Sequence, residues 1–474
     1  MAVFLGLSRS APDRARRFMY GVVAWLPLAV AAAAPPSQHP TLHGAAPVPA
    51  RPHPGVVRPT TGHPAVIHPA VARQAVVHQA VVRPTVARPA VMRTAVVPLH
   101  QWARKPDPEQ LLIEVYKDLG ANQLQAAQAK ADALVLAYPN FRLGQLIRGD
   151  LLMMHTHKIS ALGGGNDANS EALANLRAEA MVRLKSLRER PDPTLMPKAI
   201  LQLRADQKYA LIVDARRSRL YVYENAGGTL KFLTDYYVSQ GKLGVNKLRE
   251  GDQKTPVGVY YITSRLGGAK LPNFYGAGAL PINYPNDWDR VNGRSGSGIW
   301  LHGTPPDSYS RPPLSSDGCV VLTNQDLNKL FASIEIGKTP VVISENVKFI
   351  SRAEWEDDRS DATRLLESWR LDAESADPAR IGAHYSPGFR SELGEDLTAW
   401  LTRHHEFLSG GSGINYRLRD VTSFFYPGNV KMMVITFTQE SIGLKSRVPL
   451  HPVRKRQYWA REGSRWKIVS ETML

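Results

Sequence analysis

Residues 35–106 limit the fold of this chain most, because a segment of this composition does not build a packed core. A His or Arg recurs every five residues from His53 to Arg93, commonly followed by proline, and the segment contains no Asp or Glu. A period of five matches neither a helix nor a strand, and recurrent proline removes backbone donors. We therefore predict a disordered cationic tether, with a His-rich metal-binding tract as the alternative.

The charge of the chain is concentrated in the same N-terminal part. Residues 1–106 carry 12 basic side chains and one acidic one, a net +11 of the total +17. The remaining residues are only mildly basic, which argues against a nucleic-acid partner. Cys319 is the single cysteine, so an intramolecular disulfide and a multi-cysteine metal site are both excluded.

The first 34 residues have the pattern of an export signal. Arg14, Arg16 and Arg17 precede the uncharged residues 18–34, which end in four alanines before Pro35. This pattern predicts a signal peptide and a protein of the periplasm or cell envelope. The alternative is an uncleaved anchor, although the uncharged run is shorter than the ~20 residues that a spanning helix prefers. The sequence leaves cleavage or anchoring open.

Residues 107–200 are predicted to be helical. Apolar residues recur at helical spacing, as at Leu112, Val115 and Leu119, and Pro139 is expected to end the second helix. The paired helices resemble a tetratricopeptide-type hairpin. That resemblance implies packing or dimerisation, with peptide binding as the alternative, and the oligomeric state stays open.

Residues 205–347 form a strand-rich region that carries the candidate chemistry. An apolar segment ends at His302, and Cys319 follows 17 positions later, directly after Gly318. A thiol is mostly protonated at neutral pH, and a nearby imidazole can accept its proton and make it a nucleophile. The alternative interpretation is a buried structural cysteine beside an unrelated histidine.

The two residues lie in motifs that resemble the L,D-transpeptidase catalytic domain of the YkuD type. The motifs are His302-Gly303 and residues 316–319, Ser-Asp-Gly-Cys, with further similarity at residues 251–258 and 280–286. The resemblance implies that Cys319 is the nucleophile and His302 its base, without a metal or cofactor. The backbone at Gly303 is expected to hold the second imidazole nitrogen, and Gly318 to shape an oxyanion site.

The same resemblance implies two substrate-binding residues and contains two departures. Ser316 and Tyr284 are the predicted substrate-binding residues. Asp317 stands where relatives often have histidine, and we predict that its charge raises the pKa of His302. Val321 stands where many relatives have arginine or asparagine, so the usual carboxylate clamp is missing from that position.

Residues 352–474 are predicted to form a helix-then-sheet unit that resembles the NTF2-like cone. Four tryptophans, at positions 369, 400, 459 and 466, are expected to be core residues rather than a ligand platform. Such cones commonly enclose a pocket, so a small ligand or a protein partner is a candidate for this unit. The predicted fold class is therefore α+β and multidomain, in the order helical region, β-rich transpeptidase domain and NTF2-like domain.

This domain order resembles bacterial enzymes that trim peptidoglycan and set cell shape. The resemblance implies attack by Cys319 on the carbonyl before a terminal D-Ala of a stem peptide, through a thioester. Water would then give carboxypeptidase trimming, and an amine would give a 3–3 cross-link. Hydrolysis is favoured because neither Asp317 nor Val321 supplies an acceptor clamp. The alternative from another class is a catalytically silent wall-binding scaffold.

Overall fold

The computed structural model describes residues 107–159, 161–164, 170–375, 377–391, 393–409, 415–428, 431–442 and 451–474. The predicted signal peptide, residues 1–34, and the predicted tether, residues 35–106, lie outside the described residues. Among the helices that are described, none is both long and apolar enough to cross a bilayer.

The N-terminal described region is helical, as predicted. Its helices are α1 (Pro108–Gly120), α2 (Leu124–Ala137), α3 (Arg142–Met154) and α4 (Glu171–Arg188). Asp107 caps α1 by accepting from the Gln110 backbone, with Pro108 at the first helical position, where a missing N–H is harmless. Leu112, Ala131 and other small or branched apolar residues pack in one cluster between the helices.

The central region contains two main sheets around one apolar core. The five-stranded sheet has the spatial order β5 (Thr229–Tyr237), β4 (Arg219–Ala226), β3 (Tyr209–Asp214), β13 (Pro340–Ser344) and β7 (Gly258–Tyr261). The four-stranded sheet has the order β12 (Val320–Val321), β10 (Trp300–His302), β9 (Gly278–Pro281) and β8 (Leu266–Gly267). Strand β6 (Gln240–Gly241) pairs with β11 (Leu314–Ser316), and the short helices are α5 (Asp287–Val291) and α6 (Asn324–Ser333).

The C-terminal region places helices against an antiparallel sheet, which confirms the predicted α+β class. It contains α7 (Arg352–Glu374), α8 (Pro378–Gly382), β15 (Tyr385–Ser391), α9 (Leu397–Ser409), β16 (Asn415–Phe425), β17 (Met432–Ile442), β18 (Val453–Glu462) and β19 (Arg465–Met473). Trp369, Trp400 and Trp459 are buried in its core and Trp466 packs against that core from a half-buried position, as predicted.

The segment between α4 and the central region forms strands, although it lies at the end of the range 107–200 that was predicted to be a helical region. Helix α4 ends at Arg188, before two prolines, and residues 196–202 form strands instead. Strand β2 (Ile200–Gln202) adds to the free edge of β16 in the C-terminal sheet, and β1 (Met196–Pro197) pairs with β14 (Phe349–Ile350). The Trp355 indole N–H donates to the Ile200 carbonyl at 2.6 Å, so this segment ties the C-terminal unit to the rest of the chain.

Candidate active site

The strand ladder of the four-stranded sheet brings His302 and Cys319 to one face. Strands β10 and β12 are parallel, with Leu301 opposite Val320 and His302 opposite Val321. Because side chains alternate between the two faces of a sheet, Cys319 lies on the same face as Val321 and therefore as His302. Cys319 directly precedes β12, so extending the register by one residue places it diagonally from His302, although 17 positions separate the two residues in the sequence.

His302 is buried and oriented by the backbone. Its side chain is 1% exposed, and its ring lies 5.5 Å from the Phe274 ring and 5.1 Å from the Tyr275 ring, between centroids. Nδ1 lies 2.7 Å from the Gly303 carbonyl oxygen, which assigns the proton to Nδ1 and leaves the Nε2 lone pair free. Burial lowers the pKa of His302 to about 4, so the imidazole is neutral at pH 7 and able to accept a proton.

Cys319 is half-buried beside backbone polar groups. Its Sγ lies 3.4 Å from the Gly298 carbonyl oxygen, to which the thiol donates. Burial raises the pKa of the thiol, while a hydrogen bond from the Trp300 backbone acts in the opposite direction. A raised thiol pKa and a lowered imidazole pKa together give a neutral resting pair rather than a thiolate–imidazolium pair.

Asp317 does not act on the histidine as the sequence predicted. Its exposed carboxylate accepts from Lys242 at 3.0 Å and from Gln253 at 3.1 Å. The prediction that Asp317 raises the pKa of His302 is therefore wrong, because burial of the ring dominates and lowers that pKa. The other departure, Val321, is 2% exposed and lies opposite His302 in the ladder.

The turn before Cys319 depends on Ser316 and Gly318. The Ser316 hydroxyl donates to the Cys319 carbonyl at 2.6 Å and accepts from the Gly318 backbone at 3.2 Å. Gly318 has φ +130°, and a Cβ at this position would lie 2.8 Å from the Lys254 carbonyl oxygen, so only glycine fits. Ser316 is 2% exposed, and these two hydrogen bonds shape the turn; its predicted contact with a substrate stays a prediction.

Tyr284 lies in the hydrophobic core rather than at an open surface. It is 6% exposed, packs against Tyr260 with 6.0 Å between ring centroids, and donates its hydroxyl to the Ser295 carbonyl at 3.0 Å. These contacts give Tyr284 a packing role and offer no support for the substrate contact that the resemblance implied.

Asn324 is a site residue that the sequence reasoning missed. Its side chain accepts from the Ala277 backbone and donates to the Thr304 carbonyl, both at 2.8 Å. It thereby joins the loop before β9 to the chain just after His302. A Cβ at Gly303 would collide with the Asn324 side-chain oxygen, which explains glycine after the histidine. Asn324 directly follows the N-cap residue of α6, so local sequence suggests only a helix start.

Arg311 is the second residue that the sequence reasoning missed. It lies in the segment between β10 and β11, and its positive charge acts on both His302 and Cys319. The guanidinium carbon lies 5.2 Å from the centroid of the Phe274 ring, the same ring that flanks His302. No motif marked this position in the sequence.

Two family models match the chain at the regions described above. The L,D-transpeptidase catalytic domain of the YkuD type matches residues 208–343, and the Cds6 C-terminal NTF2-like domain matches residues 361–472. The chain therefore belongs to the family of proteins in which a YkuD-type L,D-transpeptidase domain is followed by an NTF2-like domain.

Individual relatives are similar to parts of the chain. YafK of Escherichia coli (strain K12), whose name assigns it to the L,D-transpeptidases, is 28% identical over 131 residues, 27% of this chain and 48% of YafK. The chain thus spans about half the length of the curated relatives it matches. The structure of Bdellovibrio bacteriovorus Bd1075 is 31% identical, with a TM-score of 0.52, over 59% of this chain and 98% of that one.

A further solved structure shares the fold. The helical cell shape determining protein Pgp2 from Campylobacter jejuni is 23% identical, with a TM-score of 0.50, over 60% of this chain and 97% of that one.

Proposed function

We propose that this protein is an exported cysteine acyl-enzyme that acts on peptidoglycan stem peptides. The observation that supports the proposal most is the register of β10 and β12, from which we expect Cys319 and His302 on one face, with Nδ1 of the histidine held by the Gly303 carbonyl. A nucleophile beside a base that is oriented by a third group is the arrangement that covalent catalysis requires. The catalytic-domain family and the predicted export signal point to the cell wall as the place of action.

Because the thiol and the imidazole are both neutral at rest, proton transfer between them accompanies the attack on the substrate in the first chemical step. Nε2 of His302 accepts the thiol proton as Sγ of Cys319 attacks the carbonyl carbon before the terminal D-Ala. The tetrahedral intermediate then collapses to a thioester, and the imidazolium returns its proton to the amine of the departing D-Ala. Atoms and charge balance without a metal or a cofactor.

The turn that contains Gly318 supplies the proposed oxyanion site. The Gly318 N–H already donates to Ser316, so the Cys319 N–H is the donor of this turn that we assign to the developing oxyanion. The close approach of Gly318 to Lys254 fixes the turn, and with it the direction of that N–H.

We propose that water, rather than a second stem peptide, resolves the thioester. Val321 is buried and apolar, and Asp317 is held by Lys242 and Gln253, so neither residue offers an amine acceptor a binding group. The test is incubation of the enzyme with tetrapeptide muropeptide at high concentration, followed by mass spectrometry of the products. Tripeptide monomer as the main product supports hydrolysis, whereas accumulating cross-linked dimer makes transpeptidation the main activity.

Substitution of the nucleophile tests the catalytic proposal against the scaffold alternative. Cys319→Ala and Cys319→Ser are expected to abolish D-Ala release from tetrapeptide muropeptide while leaving the thermal melt close to that of the wild type. Turnover by Cys319→Ala at the wild-type rate would rule out the assigned mechanism. A wild-type protein that binds wall material but releases no D-Ala would instead favour the scaffold.

A further inference from the structure

The hydrogen bonds of Arg311 leave part of its guanidinium without a partner. Nη2 donates to the Ser315 carbonyl at 2.7 Å, whereas Nη1 is buried and has no hydrogen-bond partner among the described residues. Asp317 is the acid whose charge acts on Arg311, but that carboxylate is bound by Lys242 and Gln253. Burial without a carboxylate partner lowers the pKa of the guanidinium and is costly.

Two other largely buried arginines of the described residues are paired with acids. Arg183 contacts Glu179 at 2.8 Å, and Arg456 contacts Asp287 at 2.5 Å. The unpaired Nη1 of Arg311 therefore differs from these two paired guanidinium groups. A donor of this kind beside two candidate reacting groups points to a ligand that supplies the missing acceptor.

The segment that presents Arg311 is anchored by the helical region. The ring of Tyr309 packs against Phe141 with 4.5 Å between centroids, and the Ser310 hydroxyl donates to the Glu179 carboxylate at 2.7 Å. On its other side, the Tyr237 hydroxyl donates to the Arg311 carbonyl at 2.8 Å. The residues on either side of the guanidinium are thus fixed, so its position is determined by the fold and not by a free loop.

We propose that Arg311 binds the C-terminal carboxylate of the stem peptide, the carboxylate of the departing D-Ala. A terminal residue spans only about 3.8 Å from one Cα to the next, so its carboxylate must lie beside the carbonyl that is attacked. A guanidinium whose charge acts on both Cys319 and His302 is placed to receive it, and its planar fork matches a carboxylate. Arg311 thereby supplies, from a different segment, the cation that is missing at Val321. The proposal rests on the proposed function and specifies its substrate.

Phe274 has a part in this subsite. Its ring lies over the Arg311 guanidinium and is 45% exposed, on a short turn formed by Asn273–Tyr275. Because Nη1 is buried in the present structure, carboxylate binding requires a neighbouring side chain to shift, and we assign that shift to the exposed Phe274 ring. The ring then remains an apolar wall that strengthens the ion pair by excluding water.

The test compares two substrates that differ only in the terminal carboxylate. One is the tetrapeptide with a free C-terminal D-Ala, and the other carries the D-Ala amide. We expect Arg311→Gln to raise KM and lower kcat/KM by about 10- to 100-fold on the free acid, the range expected when a charged hydrogen bond is lost. On the free acid, the kcat/KM of Arg311→Lys should fall between that of the wild type and that of Arg311→Gln. On the amide, the wild type and Arg311→Gln should have equal kcat/KM values.

A matched control is Arg265→Gln. Arg265 also donates to a backbone carbonyl, that of Ile334 at 2.9 Å, and lies over a phenylalanine ring, that of Phe331 at 5.8 Å. Its substitution is expected to leave the ratio of the two kcat/KM values unchanged. The thermal melt of each variant separates loss of fold from loss of the subsite.

Two kinetic outcomes would overturn the proposal. One is an unchanged KM for the free acid in Arg311→Gln, and the other is an equal loss on acid and amide, which indicates a purely structural role. Binding is measured in parallel by calorimetry with Cys319→Ala, with and without Arg311→Gln. Binding that prefers the acid and depends on Arg311 supports the subsite. If the wild type nevertheless releases no D-Ala, the absence of D-Ala release refutes the proposed function and not the subsite. The absence of any preference for the acid refutes the subsite.

Discussion

Acidification is expected to stop turnover only near pH 4, far below the range of an ordinary histidine. Burial lowers the pKa of His302 from 6.5 to about 4, a change that corresponds to about 3 kcal/mol against the charged ring. At pH 5.5 an ordinary imidazole is about 90% protonated, whereas His302 is only about 3% protonated. The base therefore stays competent across the mildly acidic range.

The assay is the initial rate of D-Ala release from soluble tetrapeptide muropeptide, measured as kcat/KM between pH 4 and pH 8. We expect a flat profile from pH 7 to about pH 5 and half of the activity to be lost near pH 4. A profile that loses half of its activity at pH 6.5 or above would refute the argument, because it would mean that the ring is charged before it can act as the base.

Protein stability must be followed over the same range. The pKa of His302 is lower in the folded than in the unfolded state, so the unfolded state binds the extra proton. The free energy of unfolding should then fall as the pH drops from about 6.5 to about 4, by up to about 3 kcal/mol, and this term is absent above pH 6.5. His404 has the same direction of shift, also to about 4. Urea unfolding of His302→Gln beside the wild type isolates the His302 contribution, since His404 is common to both.

Three further substitutions test how the site and its supports are held. Gly318→Ala is expected to lower kcat by about 100-fold, because the new Cβ meets the Lys254 carbonyl and shifts the turn before the nucleophile; unchanged kinetics would contradict this. Asn324→Ala should lower kcat, and it should lower the free energy of unfolding by about 2 kcal/mol because two backbone groups lose their hydrogen-bond partner. An unaltered urea midpoint would count against this expectation. Trp355→Phe should cost about 2–3 kcal/mol in urea unfolding with kcat unchanged, since it removes the bond to Ile200 and leaves a cavity where the buried indole packed.

The sequence by itself predicted the helical and strand-rich regions of the described residues and singled out the candidate reacting pair. Helices α1 to α4 lie within the region that periodicity predicted to be helical, and residues 352–474 contain helices and then mainly strands as predicted, because those signals are local. The pair Cys319 and His302 could be singled out because each has a glycine next to it in a short motif, and the structure leaves no room for a Cβ at either glycine.

The tertiary structure alone decided what surrounds that pair. The edge position of β2, the burial of Tyr284 and the placement of Arg311 all depend on contacts between segments that are distant in sequence. The pKa of His302 illustrates the reason. From the sequence, Asp317 near Cys319 suggested a raised pKa for His302. In the structure the His302 ring is enclosed by residues 274 and 275 and loses its hydration, which lowers its pKa. Desolvation depends on everything packed around a group, so no local pattern in the sequence specifies it.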